Sequence, residues 1–428
     1  MIYPVDNLDD AYNACHPDKP LEVGDPRYLD LKNVRNKKSV NTLAKRIVRT
    51  SQTDDFCKQL VTGHTGCGKS TELKRLQKQL EDDSYFVIYL DVESSLDLRQ
   101  ITYQDVLLNI AQGAVEALAE AKVNLDSALL NDLQLLLAEK IVSQDYVKET
   151  KASAGVSAEA GFDIPLIAKL FTKITGEIRS GSSHREQIRE KIKNVQQEFI
   201  AKLNDLLLAA RLKLEQQGHA DLVVIVDGLE KIRESATYND LFIEHAEQLN
   251  EINCHLLYTI PIALASTANL GDFFANDIFF VPMVKYQTDE GKQYLTDLVN
   301  KRIQVAKLFA DEASLDQLIA MSGGSIRDLF RLIRSASETD EGDKIQETDI
   351  ERAISNLVKD YDRLVKEDDV ALLKDIAKDK RVIKDTGKHY ERLLSLRLVN
   401  EYENGKPWAD LHPALRKIGW LQTKLTDG

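Results

Sequence analysis

Eight consecutive residues, Gly63-His64-Thr65-Gly66-Cys67-Gly68-Lys69-Ser70, match the pattern G-x-x-x-x-G-K-S in full. Their chemistry is phosphate binding. Glycines let the backbone turn its N–H groups inward around an anion, where a Cβ would clash. Lys69 places a point charge near the outer phosphates, Ser70 offers a hydroxyl to Mg2+, and Thr71 falls near the α-phosphate. The expected occupants are ATP and Mg2+. Adenine is preferred to guanine because no Asn-Lys-x-Asp follows the fourth expected strand.

Mg2+ also needs a carboxylate, usually through water, at the end of an apolar strand. Asp91 and Asp227 both end such runs. Asp227 is the choice because Leu222-Val223-Val224-Ile225-Val226 is the purer run. Hydrolysis further needs a carboxylate that orients water. The position after Asp227, where many phosphate-loop ATPases carry Glu, is Gly228. Glu230 is the nearest candidate. It either orients water or pairs with Lys231 or Arg233 at a helix start. This departure makes slow or partner-gated hydrolysis the expectation.

Such a loop works only between a strand and a helix. Residues 56–62 read as the strand and 70–81 as the helix, with Leu73, Leu76 and Leu80 on one face. Further strands are expected at 85–92, 222–227, 255–260 and 278–281. Their alternation with helices predicts an α/β three-layer sandwich around a parallel sheet. A helix is expected at 39–50, and 1–38 reads as largely irregular. Between the second and third strands lies an insertion, about 95–218, with helices at 101–122, 125–141 and 184–217. Its 150–183 stretch is rich in small and polar residues and reads as a mobile insertion or as a hairpin against a partner. The chain then divides into a core over 1–289, a helical lid over 290–360 and a C-terminal unit over 361–428. Within the last, helices at 370–378 and 390–399 precede a hairpin with Asn404-Gly405 at its turn, the order of a winged helix.

Composition narrows the function. The chain has 428 residues, 29% of them charged, with a net charge of −13, which argues against a generic nucleic-acid coat. The spacing of Cys15, Cys57, Cys67 and Cys254 fits neither a zinc site nor a disulfide framework. With no signal peptide or membrane-spanning run in the sequence, the expectation is a cytoplasmic protein with reduced thiols and no membrane partner.

Taken together, the order of elements resembles the AAA+ superfamily, in particular its initiator-like branch and the neighbouring STAND-type signalling ATPases. The resemblance implies a sensor role for Thr259, in Leu257-Tyr258-Thr259-Ile260, touching the γ-phosphate; a threonine ending a buried strand fits equally. Ser322-Gly323-Gly324-Ser325-Ile326-Arg327 resembles the lid motif whose arginine reaches the γ-phosphate, which favours that role for Arg327 over a solvent position behind a Ser325 cap. Members often complete a neighbour's site with an arginine. Arg185 and Arg302 are candidates, although ordinary surface positions suit them better. A winged helix in this superfamily either reads DNA or packs against its own chain. For DNA, Lys384, Lys388, His389, Arg392, Arg397 and Lys406 are the contacts to expect. Yet residues 361–428 carry a net charge of only about +2, and Glu401 and Glu403 fall on the wing. Protein contact is therefore favoured over duplex DNA. The implied function is a nucleotide-driven switch or assembly ATPase, acting through self-association or a separate effector, as in bacterial signalling or anti-phage defence. The alternative is an initiator-like ATPase that binds duplex DNA.

Overall fold

The computed structural model describes residues 2–30, 34, 40–53, 55–142, 144–153, 164–181, 184–339, 342–382, 389–404 and 406–426. Five strands form one parallel sheet: β1 (Lys58–Thr62), β2 (Phe86–Asp91), β3 (Leu222–Asp227), β4 (His255–Thr259) and β5 (Phe279–Phe280), in the order β2-β3-β4-β1-β5. Each lies within its expected run.

β3 is buried along its whole length because helices cover both faces of the sheet. Its alternation shows the division. Val223 and Ile225 pack with the helices Val40–Ser51 and Lys69–Asp82. Leu222, Val224 and Val226 pack into the larger core formed with the helices Tyr103–Glu120 and Gln196–Gln216. The result is a three-layer α/β fold around a parallel sheet. Parallel register brings Asp227 opposite Asp91, and Thr259 opposite Val61. The carboxyl ends of the strands therefore share one rim, where open α/β sheets gather ligands.

The insertion is helical on both sides of its small-residue stretch. Ile164–Ser180 forms one helix and buries Ile167, Leu170, Phe171 and Ile174 in the same core as the Tyr103–Glu120 helix. Thr175 donates to Gln112 across that contact at 2.6 Å. Apolar spacing of three and four residues drives this helix, and its flanking small residues hide the pattern. Residues 154–163 and 182–183 lie outside the described residues. The expected 184–217 helix breaks at Val195 into Arg185–Asn194 and Gln196–Gln216.

Beyond the sheet come the lid helices Asp289–Asn300, Val305–Leu308, Ser314–Met321, Ile326–Ser337 and Glu347–Asp362. The C-terminal unit adds the helices Val370–Asp379 and His389–Ser395, then the antiparallel strands β6 (Val399–Asn404) and β7 (Lys406–Leu411). The helix expected to reach 399 stops at Ser395, because Arg397 takes a left-handed backbone (φ 58°) that turns the chain into β6. Gly405 of the expected turn lies outside the described residues. Within 1–38, a helix forms at Leu8–Ala14 under an Asn7 cap, and Val5 bridges to Ile303 beside the lid. One apolar core runs through this N-terminal helix, the lid and the C-terminal unit, joining Ala11, Leu329, Leu393 and Leu411. No described helix is long and apolar enough to cross a membrane.

Candidate functional site

The loop from Gly63 to Gly68 leaves β1 and enters the Lys69–Asp82 helix. Gly66 (φ 89°) and Gly68 (φ 94°) hold left-handed backbones, and Gly68 is the residue that caps the helix. A Cβ at Gly66 would come 2.5 Å from the Cβ of Arg327. The loop and the helix N-terminus thus form a concave set of N–H donors backed by a positive dipole, suited to an anion. Lys69 is buried, and its ammonium donates to the carbonyls of Gly63 (2.9 Å) and His64 (3.1 Å).

Three expected residues converge on this loop. Asp227, at the end of β3, accepts hydrogen bonds from Tyr89 Oη at 2.6 Å and from Ser70. Burial and the nearby Glu230 charge raise its pKa, against the pull of those two hydroxyls and Lys69. Glu230 lies 3.6 Å from Lys69 with 5% of its side chain exposed. Burial raises its carboxyl, but Lys69 and a hydrogen bond from Thr259 outweigh burial and bring its pKa below the usual glutamate value. Its Oε2 has no hydrogen-bond partner among the described residues. The third is Arg327, on the opposite wall, whose backbone N–H donates to Gly66 O at 3.3 Å.

Gly228 explains the displaced glutamate. Its φ of 103° opens a short 3-10 turn, Leu229–Lys231, that carries Glu230 toward Lys69. A glutamate at 228 would be strained. Lys231 pairs with Glu93 instead. Thr259 sits behind this turn, 1% exposed, and accepts from the N–H groups of Gly228 (2.9 Å) and Leu229 (3.1 Å). It holds the loop that carries Glu230 and lines neither cleft beside the phosphate loop. Asp91, the other candidate for Mg2+, is exposed and caps the helix Val92–Ser95 through the Glu93 N–H.

A cleft of about 290 Å3 opens over Gly66, Gly68, Lys69, Ser70, Thr71 and Asp227. Its far wall combines lid residues Leu298, Arg302, Ile326, Arg327 and Phe330 with the N-terminal segment His16–Leu21 and Tyr28. The sequence reading missed this segment, which has no periodicity or motif. Leu21 N donates to Thr71 Oγ1 at 3.2 Å, and Asp18 pairs with Arg327 at 3.1 Å. Tyr89, the partner of Asp227, was missed as well; only its position two residues before Asp91 on a strand marked it.

A triphosphate with Mg2+ fits these residues. The loop offers backbone donors and a buried cation, and Ser70 and Asp227 already touch at one point of the rim. Mg2+ commonly keeps several waters and takes only one or two carboxylates alongside phosphate oxygens. No group of three or more His, Cys, Asp or Glu among the described residues is placed to hold a metal by itself.

No protein-family model matches the chain, and no curated protein matches it. Among solved structures it is similar to the Walker-type ATPase PABY2304 of Pyrococcus abyssi: 13% identity, covering 96% of this chain and 99% of that one, TM-score 0.45. It is also similar to the Aeropyrum pernix ORC1 protein in complex with DNA (14%, 97% and 96%, TM-score 0.41). A third likeness is to Drosophila ORC bound to DNA (11%, 98% and 91%, TM-score 0.42). Likenesses this remote carry no weight for the chemistry, which rests on the residues above.

The remaining expected residues fall away from this site or take other roles. Arg302 is buried, not a surface arginine; it donates to Arg27 O and Leu298 O and lies over the Phe330 ring. Burial lowers its pKa to about 10. Arg185 faces Asp97, Glu186 and Gln100. Of the basic residues expected on DNA, Arg392 is held by Asp369 and Leu364 O, and Arg397 by Asp328 at 2.6 Å. His389 and Lys406 are exposed, and Lys384 and Lys388 lie outside the described residues. Glu401 is buried, not displayed on a wing, and accepts from Tyr390 Oη at 2.7 Å.

Proposed function

We propose that this chain binds ATP with Mg2+ and hydrolyses it slowly, as a switch whose lid and core change angle with the nucleotide. The observation that carries this is the meeting of Lys69, Asp227, Glu230 and Arg327 around one glycine loop at the rim of a parallel sheet. The loop N–H groups and Lys69 would hold the phosphates. Ser70 and Asp227 would hold Mg2+, which supplies charge neutralisation at the β- and γ-oxygens when bound. Glu230, ionised and with one oxygen unpartnered among the described residues, would orient the attacking water. Thr259 keeps the Glu230 turn in place. Arg327 would reach the outer phosphate from the lid, so that nucleotide occupancy biases the lid against the core.

Such a switch acts on a partner protein or on further copies of itself. Duplex DNA is the weaker reading here, because Arg392 and Arg397 are neutralised within the chain. The test is ATP binding by calorimetry, with steady-state hydrolysis alone and with duplex DNA at about 50 mM salt, where phosphate contacts are strongest. Binding with slow, DNA-independent turnover supports the switch. Turnover raised by DNA would favour the initiator-like alternative. Absence of ATP binding would overturn both.

A further inference from the structure

The phosphate loop touches the C-terminal hairpin directly. His64, fully buried, accepts a hydrogen bond at Nε2 from the backbone N–H of Glu401 on β6, at 2.7 Å. The next residue on β6, Tyr402, donates its hydroxyl to Gly323 O at 2.7 Å, in the loop that leads into the Arg327 helix. Asn400, the residue before, packs so closely on that loop that a Cβ at Gly323 would come 2.8 Å from its Nδ2. Three consecutive residues of one strand thus hold both walls of the nucleotide site.

A second clamp lies one residue along the lid. Arg327 faces the phosphate loop, and Asp328 points the other way into the C-terminal unit. There it is fully buried between Arg397 (2.6 Å), Tyr361 Oη (3.4 Å) and His412, whose ring stacks on Tyr361 at 4.1 Å. Arg397 makes this contact from its left-handed backbone. The first turn of the lid helix is therefore gripped on both sides, and it cannot move relative to the loop without disturbing β6.

We propose that the β6–β7 hairpin is the element that reads nucleotide state: His64 and Gly323 transmit loop and lid position to β6, and release or tightening of β6 is the signal passed outward. This rests on the ATP-switch reading and names the part that moves. His64 acts as a positioning residue, through the loop. Linkage makes the coupling reciprocal, so loosening β6 changes nucleotide affinity by the factor that nucleotide changes β6 opening.

The experiment is amide hydrogen exchange on the full chain, without nucleotide, with Mg-ADP and with a non-hydrolysable Mg-ATP analogue, with binding checked in the same samples. The expected result is a change of about fivefold or more in exchange of the 399–411 peptide between nucleotide states. Tyr402→Phe, which lies outside the phosphate loop and removes the hydroxyl that meets Gly323 O, should shrink the response severalfold while the analogue still binds; a full response in that variant overturns the coupling. Binding in the wild type with unchanged exchange over 399–411 overturns this inference alone. Failure of the wild type to bind any nucleotide overturns it together with the reading beneath it.

Discussion

The backbone N–H of Arg327 donates to the carbonyl of Gly66 at 3.3 Å, across 261 positions of sequence. The lid therefore rests on the phosphate loop itself, and only a glycine at 66 leaves room for the Arg327 Cβ. That contact sets Arg327 on the wall of the cleft over the loop, where its guanidinium pairs with Asp18.

Gly66→Ala tests this approach. The new methyl would overlap Arg327 at a backbone angle that alanine resists. The expected loss is about 1–3 kcal/mol of stability, with weakened ATP binding. Chemical unfolding and calorimetry measure both. Full affinity at wild-type stability would mean that loop and lid part easily.

Lys69→Ala removes the charge facing the phosphates and leaves Glu230 without its cation. ATP affinity should fall at least about tenfold to a hundredfold, the worth of a charged hydrogen bond. Unaltered affinity in a titration would move the phosphate site elsewhere.

Glu230→Gln keeps the shape and removes the carboxylate. ATP should still bind, and turnover should drop by about a hundredfold or more if Glu230 orients water. Single-turnover hydrolysis separates the two steps. Unchanged turnover would leave Glu230 as a partner of Lys69 and nothing more.

If the arginine serves the outer phosphate as proposed, Arg327→Ala should weaken ATP by about tenfold and barely alter ADP. Asp18→Ala frees the same guanidinium and should shift the ATP to ADP preference the opposite way. Equal losses for both nucleotides in the Arg327 variant would refute the assignment.

Acid should destabilise the fold early. Burial, with smaller contributions from Lys69, Arg397 and His412, depresses the His64 pKa from 6.5 to about 3. The unfolded chain takes up that proton first, so this stability is complete above about pH 6.5 and is lost as pH falls toward 3. At pH 5 the loss is about 2 kcal/mol for such a histidine. His412 is lowered too, chiefly by burial, and adds in the same direction. Denaturant midpoints from pH 7.5 to 5 should fall for the wild type and less for His64→Gln; parallel curves would contradict it.

The glycine loop, the strand ending at Asp227 and the parallel sheet were legible because each is local. A phosphate loop needs its glycines in consecutive register, and a strand covered on both faces must be apolar throughout. Glu230 was named as well, with Lys231 or Arg233 as its expected partner; that it meets Lys69 depended on the turn that Gly228 makes. The helix Ile164–Ser180 carried a readable apolar period, obscured by its neighbours.

By itself the sequence determined which residues can meet a phosphate and which segments must be buried, since both follow from residue type at short spacing. Only the tertiary structure decided that Asp18 faces Arg327, that Arg397 pairs with Asp328, and that Glu401 meets His64. Those pairs lie 69 or more positions apart, and Glu401 contributes only a backbone N–H to His64. A main-chain donor is the same in every residue but proline, so no side-chain pattern marks where it will be used.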